Sequence, residues 1–458
     1  MKPLDTYRYP LLAFLCWLLS LPIIAQEQLP SIADELANPD NEMVFTFYGK
    51  PLRAAKLKSS TVKSVHAQDV KQAWHEYEKR DVHEVLTSLQ SLSDELGLND
   101  WFVFELIRNY VDELLCNASP MDRVLMEHFL LVTMGYDVRL ARTEKQLLLL
   151  VPIEQEVFEH NFIRIGDKDY YLFYDNLEYN ENERSIIYPC DPTKDVGKGQ
   201  ALSLSFDGKA LNVFTGDDKL CDLDDGQIHI ACKVNSTIIQ MLRDYPLMDL
   251  PRYATSVVLP QFHKSIYDQL EPQIKDLSQC EAVDALLHFV QHVFGYEADG
   301  EHLNHDKINF VEENFYYDYN DCEDRSILFA VLVHSLLGLD VHFVRFPGHE
   351  CTAVHFTDCL TRGNGYYYGG DFYLICDPTY IGATIGKCMP KYSAMRPEVR
   401  KMQAERDPSA YTYQSRAPQI DDQVLHPQLT VNTRSGFQWN LQQTGEAASS
   451  TQDVTQPR

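Results

Sequence analysis

The sequence has little positive charge for its size. Its 458 residues include 40 lysines and arginines against 67 aspartates and glutamates, which gives a formal net charge of −27. Binding to nucleic acid requires clustered Lys and Arg at the phosphates, so this balance argues against a nucleic-acid partner. Because 45% apolar and 23% charged residues are ordinary for a globular chain, we interpret the excess of acid as a means of solubility.

The usual metal-binding motifs are also missing. The sequence has no Cys-x-x-Cys pair and no calcium loop of the Asp-x-Asp-x-Asp-Gly type. A weaker metal candidate is formed by His349, Cys351, His355 and Cys359, the first three on one face of a predicted strand. Four ligands on one strand cannot easily close a tetrahedron, so we expect no metal and no cofactor.

The only long apolar run is at the N-terminus, from Leu11 towards Ala25, after the basic residues Lys2 and Arg8. This arrangement is typical of a secretory signal peptide, which we place at residues 1–25. The run is short for a membrane span and Pro22 interrupts it. We therefore expect a secreted or periplasmic protein with no membrane span after cleavage. Eleven cysteines are too few for a dense disulfide framework in so long a chain.

The length suggests about three domains, and composition divides the chain further. Segments of helical periodicity are separated by short alternating runs with turn signals, and the chain beyond Met402 is polar. After the signal peptide we predict an N-terminal segment at 26–75, a degenerate catalytic-type domain at 76–180, a β-rich module at 181–265, a catalytic domain at 266–402 and a disordered tail at 403–458.

A helix predicted from Cys322 to Leu337 carries the first candidate catalytic residue. Asp321 has the side chain of an N-cap, Asp324 follows three residues later as in a capping box, and Gly338 marks the end of the helix. Cys322 therefore lies in the first turn, where the helix dipole favours a thiolate over a thiol.

Two further segments supply a histidine and an aspartate. His349 opens a predicted strand after the Pro347-Gly348 turn, and Asp377 closes a later apolar strand before a proline. Cysteine, histidine and aspartate are the components of a nucleophilic site in which the imidazole takes the thiol proton and the carboxylate orients the imidazole. We predict these roles for Cys322, His349 and Asp377.

This order and spacing resemble the transglutaminase-like, papain-like cysteine superfamily, and its bacterial exported members in particular. The resemblance covers residues 279–392 and implies an α+β fold with the same three catalytic roles. It also implies an oxyanion-hole donor upstream of the nucleophile, for which Gln291 and Tyr317 are equal candidates, together with the backbone N–H of Cys322. Many members carry an aromatic residue after the histidine, where this chain has Glu350.

The first half of the chain repeats the pattern of the second half at a nearly constant offset. Ser119, Gln146 and Asp175 take the positions of the catalytic cysteine, histidine and aspartate. The repeated pattern predicts a tandem duplication. Because neutral glutamine cannot take a proton from a serine hydroxyl, we predict that the first copy is inactive. Ser119, followed by Pro120 and Asp122, is better explained as a helix N-cap.

The sequence therefore predicts an exported enzyme that acts on amide bonds of a peptide or protein substrate. Resolution of the thioacyl enzyme by water gives a peptidase or amidase, and resolution by an amine gives a transglutaminase. The alternative is a catalytically inactive scaffold that binds peptide or glycan.

A second possible chelating pair, His288 and His292, lies opposite the apolar stripe of its helix, so we assign it to a solvated face.

Overall fold

A computed structural model describes residues 41–173, 187–193, 198–206, 211, 218–297, 307–358 and 362–402. The proposed signal peptide, Asp175, Cys359 and the C-terminal tail lie outside these residues. The fold is mixed α+β. The described residues contain ten helices: α1 (Ala67–Glu78), α2 (His83–Leu96), α3 (Asp100–Leu114), α4 (Pro120–Thr133), α5 (Ser236–Arg243), α6 (Leu250–Thr255), α7 (Pro260–Ile274), α8 (Gln279–Val293), α9 (Val311–Asn314) and α10 (Cys322–Leu337).

Within the described residues, the strands form two five-stranded antiparallel sheets and three two-stranded ones. The first large sheet contains β3 (Arg139–Arg142), β4 (Leu147–Pro152), β5 (Phe162–Ile165), β6 (Lys168–Leu172) and β7 (Tyr188–Pro189). The second contains β12 (Asp340–Phe346), β13 (His349–His355), β14 (Gly365–Tyr368), β15 (Asp371–Cys376) and β16 (Glu398–Lys401). The small sheets pair β1 (Glu42–Phe47) with β2 (Lys50–Ala55), β8 (Asp218–Asp224) with β9 (His229–Asn235), and β10 (Gly295–Tyr296) with β11 (Tyr319–Asn320).

The two large sheets have the same topology. Their strand orders are β5-β6-β4-β3-β7 and β14-β15-β13-β12-β16. In each case a helix (α4 or α10) leads into the two central strands, a hairpin adds to one side, and the last strand pairs on the other side. The segments that the sequence aligns at a constant offset therefore occupy corresponding places in the two sheets.

Helix α10 is the buried helix of the C-terminal half. The Asp321 side chain accepts from the Asp324 backbone N–H while Asp324 accepts from that of Asp321, so the predicted capping box is present. Gly338 ends the helix with a φ of 65°, a conformation that glycine adopts without the penalty of a Cβ. Every residue from Cys322 to Val333 except Glu323 is buried, as expected of a helix packed on several sides.

Strand β13 is buried on both faces, which fixes the direction of each side chain along it. Val354 belongs to the main core that includes α10, whereas Cys351 and Ala353 belong to a separate cluster with Tyr392. Because neighbouring side chains in a strand point to opposite faces, His349 lies on the face of Cys351, and Glu350 on the face of the helix.

The segment between the large sheets is more helical than its composition suggested. The described residues include the hairpin β8–β9, which contacts α7 and α8, but also the helices α5 and α6. Helix α5 begins where the Asn235 side chain accepts hydrogen bonds from the N–H groups of Thr237 and Ile238. Among the described residues, no helix combines the length and the apolar character needed to cross a membrane.

Candidate active site

Asp377 follows β15 directly and is almost completely buried. Its Oδ1 accepts hydrogen bonds from the Thr379 N–H at 3.1 Å, the Thr379 hydroxyl at 2.8 Å and the Tyr380 N–H at 3.1 Å. Its Oδ2 lies 2.8 Å from Nε2 of His349. The turn after β15 thus fixes the orientation of the carboxylate, and the carboxylate fixes the imidazole.

His349 is the first residue of β13, as the sequence predicted. A carboxylate only accepts hydrogen bonds, so the bond to Asp377 selects the tautomer that carries its proton on Nε2. Nδ1 is then the nitrogen that can take a proton. The imidazole stacks on the Tyr392 ring at a centroid distance of 5.1 Å and an interplanar angle of 3°, and Tyr392 stacks in turn on Phe346. The imidazole ring is therefore held by a hydrogen bond from its edge to Asp377 and by stacking of its face on Tyr392.

Cys322 lies in the first turn of α10 and is 9% exposed. Its Sγ donates to Oε2 of Glu323 at 2.7 Å. The backbone N–H of Glu350 is near enough to lower the pKa of the thiol, and Glu350 is the residue after His349, so the sulfur lies near the beginning of β13. Cys322 and His349 are both among the described residues, and no hydrogen bond joins them: the thiol proton points to Glu323 instead.

The environment of Cys322 opposes the thiolate that the sequence suggested. Burial raises the pKa of the thiol far above its usual range, and the carboxylates of Glu323 and Asp321 raise it further. The backbone N–H of Glu350 acts in the opposite direction. Burial and the adjacent negative charges therefore oppose the helix dipole at Cys322, and the expected thiolate stays a prediction.

Glu350 is a second unusual group, to which the sequence assigned no role. It is fully buried, its Oε2 accepts from Nε of Arg345 at 3.2 Å, and its Oε1 has no hydrogen-bond partner. Burial raises its pKa to about 8, with Arg345 lowering and Glu323 raising it. A carboxyl group beside the candidate nucleophile thus remains largely protonated at neutral pH. The sequence signal was an acidic residue inside the strand that begins at His349.

Gln291 is not available as an oxyanion donor. Its Nε2 donates to the carbonyl oxygens of Asp377 and Ala383, both at 3.0 Å, and its Oε1 accepts from the Gly382 N–H at 3.1 Å. A primary amide has two N–H bonds, and both are used here. The suggestion of a catalytic role for Gln291 is therefore wrong. This buried side chain instead holds the loop after β15 against α8.

Tyr296 is a residue that sequence reasoning missed. It pairs with Asn320 in the small parallel sheet β10–β11, two residues before Cys322. Partial burial raises the pKa of its phenol to about 12, and the charges of Cys322, Asp321 and Glu323 raise it further, although 55% of the residue is exposed. Tyr317, the other sequence candidate for a donor, also has its pKa raised by burial. Strands β10 and β11 are too short for the sequence to have indicated that they pair.

The same region contains a possible set of metal ligands. Donor atoms of His349, Cys351 and Asp377 lie within 4.8 Å of one another. However, His349 and Asp377 already bond to each other, and burial raises the pKa of Cys351 well above its usual range, which disfavours the thiolate that a metal requires. The donor set therefore fits a hydrogen-bonded pair better than a metal ion.

The corresponding position in the first half of the chain has a structural role. The Ser119 side chain accepts from the Asp122 N–H, Asp122 completes the capping box, and Pro120 occupies the first turn of α4. The Gln146 backbone N–H donates to the Thr143 hydroxyl in the turn before β4. Ser119 is thus the helix cap that the sequence predicted, and Asp175 lies outside the described residues.

Comparison with protein-family models and with curated proteins found no match to this chain. The basis for a functional proposal is therefore the geometry around Cys322, His349 and Asp377.

Proposed function

We propose that this protein is a cysteine acyl-transfer enzyme that acts on amide bonds of a peptide or protein. Cys322 is the nucleophile, His349 the general base and Asp377 the residue that orients it. The observation that carries the proposal is the 2.8 Å bond between His349 and Asp377, together with the position of Cys322 in the first turn of α10.

In this mechanism Nδ1 of His349 takes the Cys322 proton as the sulfur attacks the amide carbonyl carbon. The carbonyl oxygen becomes an oxyanion, for which the Cys322 backbone N–H and the Tyr296 hydroxyl are candidate donors. Collapse of the tetrahedral intermediate breaks the C–N bond, and His349 returns the proton to the leaving amine. Attack of water on the thioester then releases an acid, whereas attack of an amine produces a new amide.

Before this sequence begins, the thiol must release its hydrogen bond to Glu323 and come within hydrogen-bond reach of Nδ1 of His349. The Cys322–Glu323 bond stabilises the neutral thiol, so substrate binding that displaces the Glu323 carboxylate would activate the nucleophile. Glu323 is half-buried in the first turn of α10. We favour hydrolysis over transamidation because the order and spacing of the three motifs resemble those of bacterial exported members of the superfamily.

We further infer that the fold is transglutaminase-like and arose by tandem duplication. The shared strand order of the two large sheets and the constant sequence offset support this. We also infer export by the N-terminal signal.

The second candidate is an inactive scaffold that binds peptide or glycan. The raised pKa of Cys322 and its bond to Glu323 favour this alternative, since an ordinary catalytic cysteine is activated rather than silenced.

Mass spectrometry of a peptide mixture incubated with the protein separates the two candidates. Wild type and Cys116→Ala, which removes an exposed cysteine outside the site, should produce cleaved, deamidated or cross-linked peptides. Cys322→Ala should produce none. Products that persist with Cys322→Ala, or no products from wild type, would contradict the enzymatic proposal.

A further inference from the structure

The hairpin β8–β9 carries two cysteines opposite each other. Cys221 pairs directly with Cys232 in the register of the two strands, and both are free, half-buried thiols. Their side chains lie on the inner face of the hairpin and pack with Leu223 against the main core. A hydrogen bond joins the two sulfurs.

The backbone geometry of this pair fits a disulfide. The Ala231 N–H donates away from β8, to Oε1 of Gln269 in α7. Hydrogen-bonding direction alternates along a strand, so Cys232 points its backbone groups towards β8 and its Cα lies about 5.5 Å from that of Cys221. Disulfides have Cα separations of about 4.4–6.8 Å.

We infer that Cys221 and Cys232 form a disulfide that cross-links the hairpin in an oxidising compartment. The oxidant is a small-molecule or protein disulfide. The Cys221 thiolate attacks one of its sulfurs, forming a mixed disulfide and expelling one thiolate. The Cys232 thiolate then attacks Sγ of Cys221, which closes the bond and expels the second. Two cysteines lose two protons and two electrons, and the oxidant becomes two thiols.

The two thiols are differentiated as this order of attack requires. The hydrogen bond from Cys232 lowers the pKa of Cys221, and nearby Lys219 lowers it further. The same bond raises the pKa of Cys232. A metal site would need further ligands, and the single cluster of three or more possible ligands among the described residues is the one at His349.

The hairpin is attached to the segment that precedes the candidate nucleophile. Nζ of Lys219, two residues before Cys221, donates to the Tyr316 carbonyl and to Oδ1 of Asp318, both at 2.6 Å. Tyr316 and Asp318 lie six and four residues before Cys322. A cross-linked hairpin would therefore support this segment more rigidly, whether or not Cys322 is catalytic.

Peptide mapping tests the disulfide directly. Cys221 and Cys232 fall in one tryptic peptide, Leu220–Lys233. After incubation of the full-length protein with oxidised glutathione, we expect this peptide to resist iodoacetamide and to be about 2 Da lighter than the reduced form. With dithiothreitol it should gain two alkyl groups. The exposed Cys116 serves as a control, which should give only a mixed disulfide or an alkylated thiol. Double alkylation in both conditions would refute the inference.

Hydrogen exchange tests the effect on the neighbouring segment. We expect backbone amides of residues 316–320 to exchange about threefold more slowly after oxidation of wild type, because local opening becomes rarer. The double variant Cys221→Ser and Cys232→Ser should not respond to the oxidant. Equal exchange in oxidised and reduced wild type would show that the cross-link leaves the segment unaffected. This comparison uses wild type alone, so it does not depend on the folding of a variant.

Discussion

The two large sheets of this protein have the same strand order, but their helix-to-sheet junctions differ. At the first junction Ser119 caps α4 and a glutamine precedes β4. At the second, Asp321 caps α10, Cys322 follows in the first turn, and His349 opens β13 against Asp377. The backbone fold therefore needs only a cap at this point. The thiol, imidazole and carboxylate of the second junction are therefore additional to what the fold requires. The substitutions below test this difference between the two junctions.

The largest effect is expected from making the second junction resemble the first. His349→Gln removes the group that can take the thiol proton, so turnover of any identified substrate should fall by about a thousandfold or more. The reciprocal variant Gln146→His is the control and should leave turnover unchanged. Steady-state kinetics on both variants measure this. Retention of more than about a tenth of wild-type activity by His349→Gln would argue against a general-base role.

Removal of the carboxylate that binds the thiol should activate Cys322. In Glu323→Gln a neutral amide replaces a negative charge, which lowers the cost of forming the thiolate and therefore lowers the thiol pKa. Alkylation of Cys322 by iodoacetamide at pH 8 should then be about tenfold faster, and its pH profile should move to lower pH. The exposed Glu271→Gln is a matched control. An unchanged profile for Glu323→Gln would show that burial alone sets the reactivity.

Glu350 is a buried carboxyl group that the shared strand order of the two sheets does not require. It should make the stability of the protein depend on pH. Its pKa is raised to about 8 in the folded protein, so the folded state keeps a proton that the unfolded chain releases above a pH of about 4.3. Its contribution to stability is complete below that pH and is lost as the pH rises through about 8. Glu350→Gln should therefore increase the free energy of unfolding by roughly 1–3 kcal/mol at pH 9 and by less at pH 6.

Denaturant unfolding of wild type and Glu350→Gln at the two pH values provides the measurement. The difference between the two proteins isolates this group from the other carboxylates. A gain that is equal at pH 6 and pH 9 would mean that Glu350 does not titrate in this range.

The smallest effect is expected at Ser119. Ser119→Ala removes the N-cap of α4 and should reduce the free energy of unfolding by about 1 kcal/mol, without any effect on turnover. Thermal denaturation and a substrate assay on the same sample measure both quantities. Loss of turnover would give the first half of the chain a catalytic role and would remove the distinction between the two junctions.

Much of the site could be predicted because its positions depend on local patterns. The cap at Asp321, the helix end at Gly338 and the strand beginning at His349 are features of a few consecutive residues, and each is present. Helix α5 was not predicted, although the Asn235 cap is visible in the sequence, because the alternating run before it favoured continued strand. The pairing of Tyr296 with Asn320 depends on residues far apart in the chain and left no local pattern.

Gln291 shows why a residue type and a position do not establish a role. Its place on α8, upstream of the nucleophile, was compatible with an oxyanion donor. The loop after β15 uses both of its N–H groups, and only the folded chain brings that loop to the helix.

The amino-acid sequence by itself determined where a cysteine, a histidine and an aspartate lie relative to the ends of one helix and two strands. The tertiary structure decided what surrounds them: Glu323 and burial at the thiol, Asp377 and Tyr392 at the imidazole. The physical reason is that helix caps and strand ends depend on neighbours along the chain. The charge state of a buried thiol depends instead on solvent exclusion and on carboxylates in space, which no short pattern specifies.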